Sequence, residues 1–140
     1  MKVVIAQYEK HETEIRSIRE AVFVIEQQIS LDLEIDNLDA QCVHAIVFDQ
    51  HVPIATGRLD LTKQGKIGRV SVLREHRRRG AGRLIMQALE KYAREHQLKK
   101  IWFHAQQSSL PFYTSLGYKS IGEEFIEADI VHQEMEKILS

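Results

Sequence analysis

Residues 3–6, Val-Val-Ile-Ala, form a short apolar run that predicts a first strand closed by polar residues. Over residues 12–25 the apolar positions Ile15, Ile18, Val22 and Ile25, with Phe23 beside them, return at helical spacing and predict an amphipathic helix. Residues 26–39 alternate polar and apolar side chains without a glycine or proline to fix a turn, and read as irregular or as a short second helix. A strand is predicted at 42–48, a turn at Asp49, Gln50 and His51, a second strand at 52–61, and a turn at Lys63, Gln64 and Gly65 before a third strand at 66–73. Pro53 removes one ladder donor near the start of its strand, where the loss is tolerated. Strands joined by such short turns predict an antiparallel meander.

Beyond the third strand the period changes. Ala81, Leu84, Ile85, Ala88, Leu89, Tyr92 and Ala93 make one helical stripe, with Arg83, Gln87, Glu90, Lys91 and Arg94 outside it. Residues 101–105, Ile-Trp-Phe-His-Ala, are a nearly continuous apolar run and predict a strand covered on both faces. Strand, helix and strand of these lengths imply a right-handed parallel crossover. A short helix follows, with Ser108 or Ser109 as cap, Pro111 in the first turn and Gly117 at the end, and a strand restarts at 118–121. Residues 130–139 fit a helical period and strand alternation equally well. The pattern is that of one α/β domain over residues 1–140. Its mixed, mostly antiparallel sheet contains a parallel strand-helix-strand crossover and carries flanking helices.

Composition narrows the function more than the fold. With 44% hydrophobic and 28% charged residues and a formal charge of −1, the chain has no global attraction to nucleic acid or to an anionic membrane. It has no apolar run long enough to cross a bilayer, its N-terminus lacks a secretory pattern, and its single cysteine, Cys42, leaves no internal disulfide, so a cytoplasmic location is expected. Charge is nonetheless uneven: acidic residues crowd 26–39 and basic ones 63–100, which places any anionic ligand in the second half.

The basic half contains the most informative stretch, a strand ending at Leu73, a turn with Arg77, Arg78, Arg79, Gly80, Ala81 and Gly82, and the start of a helix. Gly80 and Gly82 remove side chains where a ligand would approach backbone N–H groups, and the helix directs its unsatisfied N–H groups to the same spot. That arrangement suits a phosphate or pyrophosphate. Solvated arginines on a surface turn are the plain alternative.

These residues resemble the GNAT superfamily of acyl-coenzyme A-dependent N-acetyltransferases. Arg77 to Gly82 match its Gln/Arg-x-x-Gly-x-Gly/Ala signature, and the block Phe112, Tyr113, Thr114, Ser115, Leu116, Gly117, Tyr118 is similar to its Phe-Tyr…Leu-Gly-Phe/Tyr segment. Val22 to Gln27, Asp36 to Asp39, His44 and residues 124–132 resemble a narrower branch of small uncharacterised bacterial acetyltransferases. The resemblance implies a closing strand at the C-terminal segment and acetyl-CoA as co-substrate. It implies pyrophosphate contacts from Arg77, Arg78, Arg79, Gly80, Ala81, Gly82 and Arg83, mostly through main chain, and strand-like pairing of the pantetheine arm with Val70 and Val72. Gln106 stands where the family commonly has Asn.

The reaction so implied is attack of an amine on a thioester, which requires loss of an amine proton and protonation of the departing thiolate. Tyr113 matches the family's general acid, and Glu26 is the expected base, directly or through water. Packing on the helix face is the alternative for Tyr113, and a surface carboxylate for Glu26. His44 and His132 are further residues able to reach an acceptor pocket, and Cys42, His44, Asp36 and Asp39 have poor metal-ligand spacing, so no metal is expected. The acidic run suits a cationic acceptor or a solvated loop. The expected partner is a small-molecule or peptide amine, with a homodimer left open. A catalytically silent acyl-CoA-binding or sensing module is the main rival. An RNA-binding patch on Arg77, Arg78 and Arg79 is disfavoured by the near-neutral charge and the lack of an aromatic stacking surface.

Overall fold

A computed structural model describes residues 1–139. Its strands are β1 (Lys2–Gln7), β2 (Val43–Asp49), β3 (Val52–Asp60), β4 (Lys66–Val72), β5 (Lys100–Gln106), β6 (Lys119–Glu127) and β7 (Ile130–Ile138). They form one sheet in the order β1-β2-β3-β4-β5-β7-β6. The β4–β5 pair is parallel and the other pairs are antiparallel. The α/β class and the mixed sheet with its parallel crossover are therefore as the pattern predicts.

Two tight hairpins set the registers on either side. Gln50 and His51 (φ 49° and 69°) join β2 to β3, and Ala128 and Asp129 (φ 50° and 61°) join β6 to β7. Positive φ at both central residues gives a turn whose twist matches the flanking strands. The second hairpin inserts β7 between β5 and β6, so the C-terminal segment is a strand and its alternation wins over its helical period.

Helix α1 (Tyr8–Arg19) covers one face of the sheet with Ile15 and Ile18, which pack on Ala6 and Ile46. Two short turns of helix, α2 (Leu31–Glu34) and a 3₁₀ turn at Asp39–Gln41, fill the segment read as irregular or briefly helical. The opposite face carries α3 (Ala81–Glu95), whose Ile85, Met86, Leu89 and Ala93 are fully buried against Ala45, Leu59, Ile67 and Ile101. Each of the larger side chains contributes about 1.5–3 kcal/mol by leaving water. Helix α4 (Leu110–Ser115) follows β5, with Pro111 in its first turn as expected.

Three elements differ from their sequence pattern. The first helix starts earlier, is interrupted at His11 (φ −133°, ψ 24°), and passes into a wide π-helical segment at Glu20–Glu26. There the Gln27 N–H donates to the Val22 carbonyl at 3.1 Å and Ile29 to Phe23 at 2.8 Å. Strand β6 runs through Glu127, beyond the predicted 118–121, and its register shifts between Ile121 and Phe125, around Gly122 at φ 71°. It lies at the sheet edge, where its mostly exposed side chains need no apolar alternation. Strand β5 is not covered on both faces: Ile101, Phe103 and Ala105 are buried, while Trp102, His104 and Gln106 are half-buried on the other side, where a cavity begins.

Candidate functional site

Strands β4 and β5 touch only where they start. Lys66 lies opposite Trp102, the Trp102 N–H reaches the Gly65 carbonyl at 3.2 Å, and beyond that point no pairing joins them among the described residues. A cavity of about 900 Å³ occupies the opening and continues to the glycine turn. On the β4 side the backbone is unusual. A bulge between Thr56 and Arg58 in the β3–β4 ladder accompanies Arg69 at φ 53°. The Leu73 N–H bonds to Ile54 of β3 at 2.8 Å, so by strand alternation Val70 and Val72 turn their N–H and C=O groups toward the opening.

The glycine turn forms the other end. Gly80 (φ 92°) is the N-terminal cap of α3, and a Cβ there would meet nothing within 4 Å, so glycine is needed for its backbone angle rather than for space. Gly82 differs, because a Cβ would stand 3.1 Å from Phe112 Cζ and 3.7 Å from Val72 Cγ2. The first α3 bond runs from Leu84 N–H to the Gly80 carbonyl, and no side chain caps the helix. The N–H groups of Ala81, Gly82 and Arg83 thus lack helical partners at the cavity mouth, in position to hold an anion.

The four arginines divide. Arg77 donates from Nε to the Val72 carbonyl at 3.0 Å and from its terminal nitrogens to both oxygens of Glu26 at 2.7 and 2.6 Å. Arg79 reaches His76 and Asp49 at 3.2 Å. Arg78 and Arg83 are exposed on the cavity wall with no ion pair among the described residues, and Arg78 has a left-handed backbone (φ 64°). An anion at the mouth would therefore meet free N–H groups and two uncommitted guanidinium groups.

Glu26 lines the cavity from the π-helical segment, but its carboxylate is clasped by Arg77. That hydrogen bond, the largest influence, outweighs the opposing effect of burial, holds it below the usual range and makes it a weaker base. Gln27, the next residue, exchanges amide hydrogen bonds with Gln106 at the end of β5, at 2.8 and 3.3 Å. The longer amide at position 106 thus ties β5 to the segment after α1.

Tyr113 on α4 is 8% exposed and packs with Phe103, Phe112 and Tyr118, with ring centroids 4.5, 5.0 and 6.2 Å away. It also lines the cavity. Burial alone pushes its phenol well above the ordinary value, so it keeps its proton throughout the physiological range.

The acidic run after α1 is neither a solvated loop nor a free cationic subsite. Arg19 is 2% exposed and binds Glu34 at 2.5 and 3.0 Å and Asp39 at 2.6 Å. Arg58 binds Asp36 at 2.5 and 2.9 Å and Asp39 at 2.9 Å, and Arg69 binds Asp36 at 3.2 Å. Burial raises the Asp39 carboxyl, but hydrogen bonds from His44, Arg19 and Arg58 outweigh it and hold the group far below the usual carboxylate range. His44 faces Asp39 at 3.2 Å and is not on the cavity wall, so it belongs to this network. His132 does line the cavity. The network was missed in the sequence, although one signal was present: Arg19 sits among Ile15, Ile18 and Val22 on the apolar stripe of α1.

The structure is that of an α/β protein whose sheet parts between two parallel strands, leaving a strand edge and a helix N-terminus open to one cavity. The acetyltransferase (GNAT) domain model matches residues 5–139, and the chain belongs to that family. It is 39% identical over 139 residues to an uncharacterised N-acetyltransferase of Bacillus subtilis, covering 98% of this chain and 99% of that one. Its fold resembles an acyl-CoA N-acyltransferase from Pseudomonas aeruginosa (TM-score 0.85, 25% identity, 97% and 98% of the two chains). It also resembles Escherichia coli ElaA (TM-score 0.86, 24% identity, 98% and 99% covered). Among the described residues no helix is long and apolar enough to cross a membrane.

Proposed function

We propose that this protein transfers an acetyl group from acetyl-CoA to the amine of a small-molecule or peptide acceptor, in the cytoplasm. The observation that carries this reading is the parting of β4 and β5 into a cavity continuous with the unpaired N–H groups of the glycine turn. Those residues fit the coenzyme chemically: a diphosphate needs clustered donors, and an amide-bearing arm needs an open strand edge. In this reading Ala81, Gly82 and Arg83 hold the pyrophosphate through main chain, with Arg78 and Arg83 adding charge-assisted contacts. Val70 and Val72 offer backbone groups to the pantetheine amides. Arg77 acts by fixing the turn to Glu26 rather than by meeting phosphate, and Gln106 by bracing the end of β5.

The thioester supplies an activated acyl group, so the chain has only to orient it, exclude water and manage protons. Tyr113 holds the proton that a departing thiolate requires. Burial keeps the phenol neutral, the form able to donate, and also makes it a weaker acid than an exposed tyrosine. Glu26 shapes the cavity wall through its clasp with Arg77.

Calorimetric titration with acetyl-CoA, followed by a thiol-release assay over a panel of amines, tests the reading. Binding followed by amine-dependent thiol release is the expected result. Absence of coenzyme binding would sink it, and binding with no turnover for any amine would instead support a silent sensing module.

A further inference from the structure

The cavity wall also carries His132, Glu127, His104 and Lys66, one from each of β7, β6, β5 and β4. His132 on β7 lies opposite Gln106 of β5 and Phe125 of β6, so it projects from the same sheet face as both. It is 6% exposed and its ring stacks on Phe125, with centroids 5.9 Å apart. Its Nδ1 lies 2.7 Å from the Ile130 carbonyl oxygen. A carbonyl only accepts, so Nδ1 carries the hydrogen, and in the neutral ring Nε2 is left with a free lone pair. Glu127 Oε2 stands 3.7 Å from that Nε2, and its other oxygen receives His104 Nδ1 at 3.1 Å.

We infer that His132 is the general base of the transfer reaction, taking the acceptor amine's proton on Nε2, with its ring oriented by the Ile130 carbonyl and Phe125, and that Glu127 stabilises the imidazolium so formed. This rests on the transfer reading above. The amine nitrogen uses its lone pair to form the C–N bond, and the C–S bonding pair leaves on sulfur. The proton lost from nitrogen goes to His132 Nε2, and the thiolate takes the Tyr113 hydroxyl proton. Solvent then returns one proton from imidazolium to phenolate, which restores both residues. Tyr113 and His132 thereby divide the two proton transfers between α4 and β7. Glu26 is less suited to the role because Arg77 already occupies both of its oxygens.

The charges around His132 are consistent with a base that cycles through a cation. Glu127 faces it from β6, and His104 on β5 shares that carboxylate. Glu134 on β7 lies 4.0 Å from His104 Nε2. From β4, Lys66 is close enough to feel Glu127, and it has no ion pair among the described residues. Of the other carboxylates on the wall, Glu26 is paired with Arg77, Glu34 with Arg19, and Asp36 with Arg58 and Arg69, while Asp60 accepts from Gln41 and Thr62.

The test uses the full chain as wild type, His132→Gln and Glu127→Gln, with benzylamine, glycinamide and spermidine as probes. Wild-type binding and turnover are measured first, which judges the transfer reading by itself. For the fastest probe, His132→Gln is expected to lower kcat about 100-fold or more, the usual share of a general base, with unchanged acetyl-CoA affinity. Its kcat/KM should then follow the amine's own titration alone, without the additional acid limb that a protonatable base imposes on the wild type. Glu127→Gln alters an exposed side chain, so it tests the inference even if His132→Gln folds poorly; it is expected to lower kcat and shift the acid limb. Independently of turnover, two-bond proton–nitrogen spectra of the free wild type should show His132 as the Nδ1–H tautomer. The inference is overturned if wild type releases thiol while both variants retain its kcat and pH profile. An Nε2–H tautomer, or a wild type that binds acetyl-CoA and transfers to no amine, overturns it as well.

Discussion

Asp39 accepts on a single carboxylate oxygen from Arg19 at 2.6 Å, Arg58 at 2.9 Å and His44 at 3.2 Å, and it is 7% exposed. Asp39→Asn keeps the shape and removes the charge. Breaking a buried ion pair at one partner costs about 3–5 kcal/mol, because a charge is left uncompensated. Here Arg19 retains Glu34 and Arg58 retains Asp36, so the low end, about 3 kcal/mol, is expected at pH 7. For a domain of this size that loss lowers Tm by about 10 °C. The carboxyl's folded pKa is depressed, so its contribution is complete above the unfolded value of about 3.9 and is lost as pH falls through the folded value. Urea unfolding of both proteins at pH 7 and at successively lower pH should show a gap that narrows below about pH 4. A gap under about 1 kcal/mol at pH 7, the scale of a surface ion pair, or one that stays constant into acid would refute this account of the network.

Tyr113→Phe should lower kcat by roughly 100-fold at saturating acetyl-CoA, with unchanged coenzyme affinity by calorimetry, if the hydroxyl donates the proton as proposed; unchanged turnover when chemistry limits the rate would remove its role. Gly82→Ala sets a gain in helix propensity of about 1 kcal/mol against a close contact with the partly exposed Phe112. Its thermal stability should therefore stay near wild type while acetyl-CoA affinity drops, and full affinity would show that ligand approach does not require that glycine. Cys42 is buried and its thiol is pushed up to about 11, chiefly by desolvation. At pH 8 only about one molecule in a thousand carries the thiolate, so a chromogenic disulfide reagent should react slowly with native protein and quickly after denaturation.

The apolar runs and stripes bounded by turns were legible from spacing alone: α3 with its one buried face, the β2–β3–β4 meander, whose β2 and β3 are buried on both faces, and the strand at β5. What stayed hidden involved side chains whose partners lie far along the chain. Arg19 meets Glu34 and Asp39 only because α1 folds back over the sheet. The π-helical segment is invisible because Glu20–Glu26 also fits an ordinary helical period. The alternation of β5 was masked by Trp102, an apolar residue on the cavity side whose Nε1–H is held by the Lys63 carbonyl at 3.0 Å. At the candidate site, the glycine turn and Tyr113 could be named from motif and order. Placing His132 beside Glu127 needed the tight turn at Ala128 and Asp129, which no glycine or proline announces. The uncommitted state of Arg78 and Arg83, against the fixed Arg77, depends on Glu26 lying across the opening, a distance of 51 residues in sequence.

The wide turn at Glu20–Glu26 makes chain length itself a determinant of the site. Arg19 before it is anchored in the ion network, and Gln27 after it is anchored to Gln106. Each helical residue turns the chain by about 100°. Deleting one residue between those anchors would therefore rotate Glu26 and Gln27 away from Arg77 and Gln106, unlatching two walls of the cavity without altering any side chain that lines it.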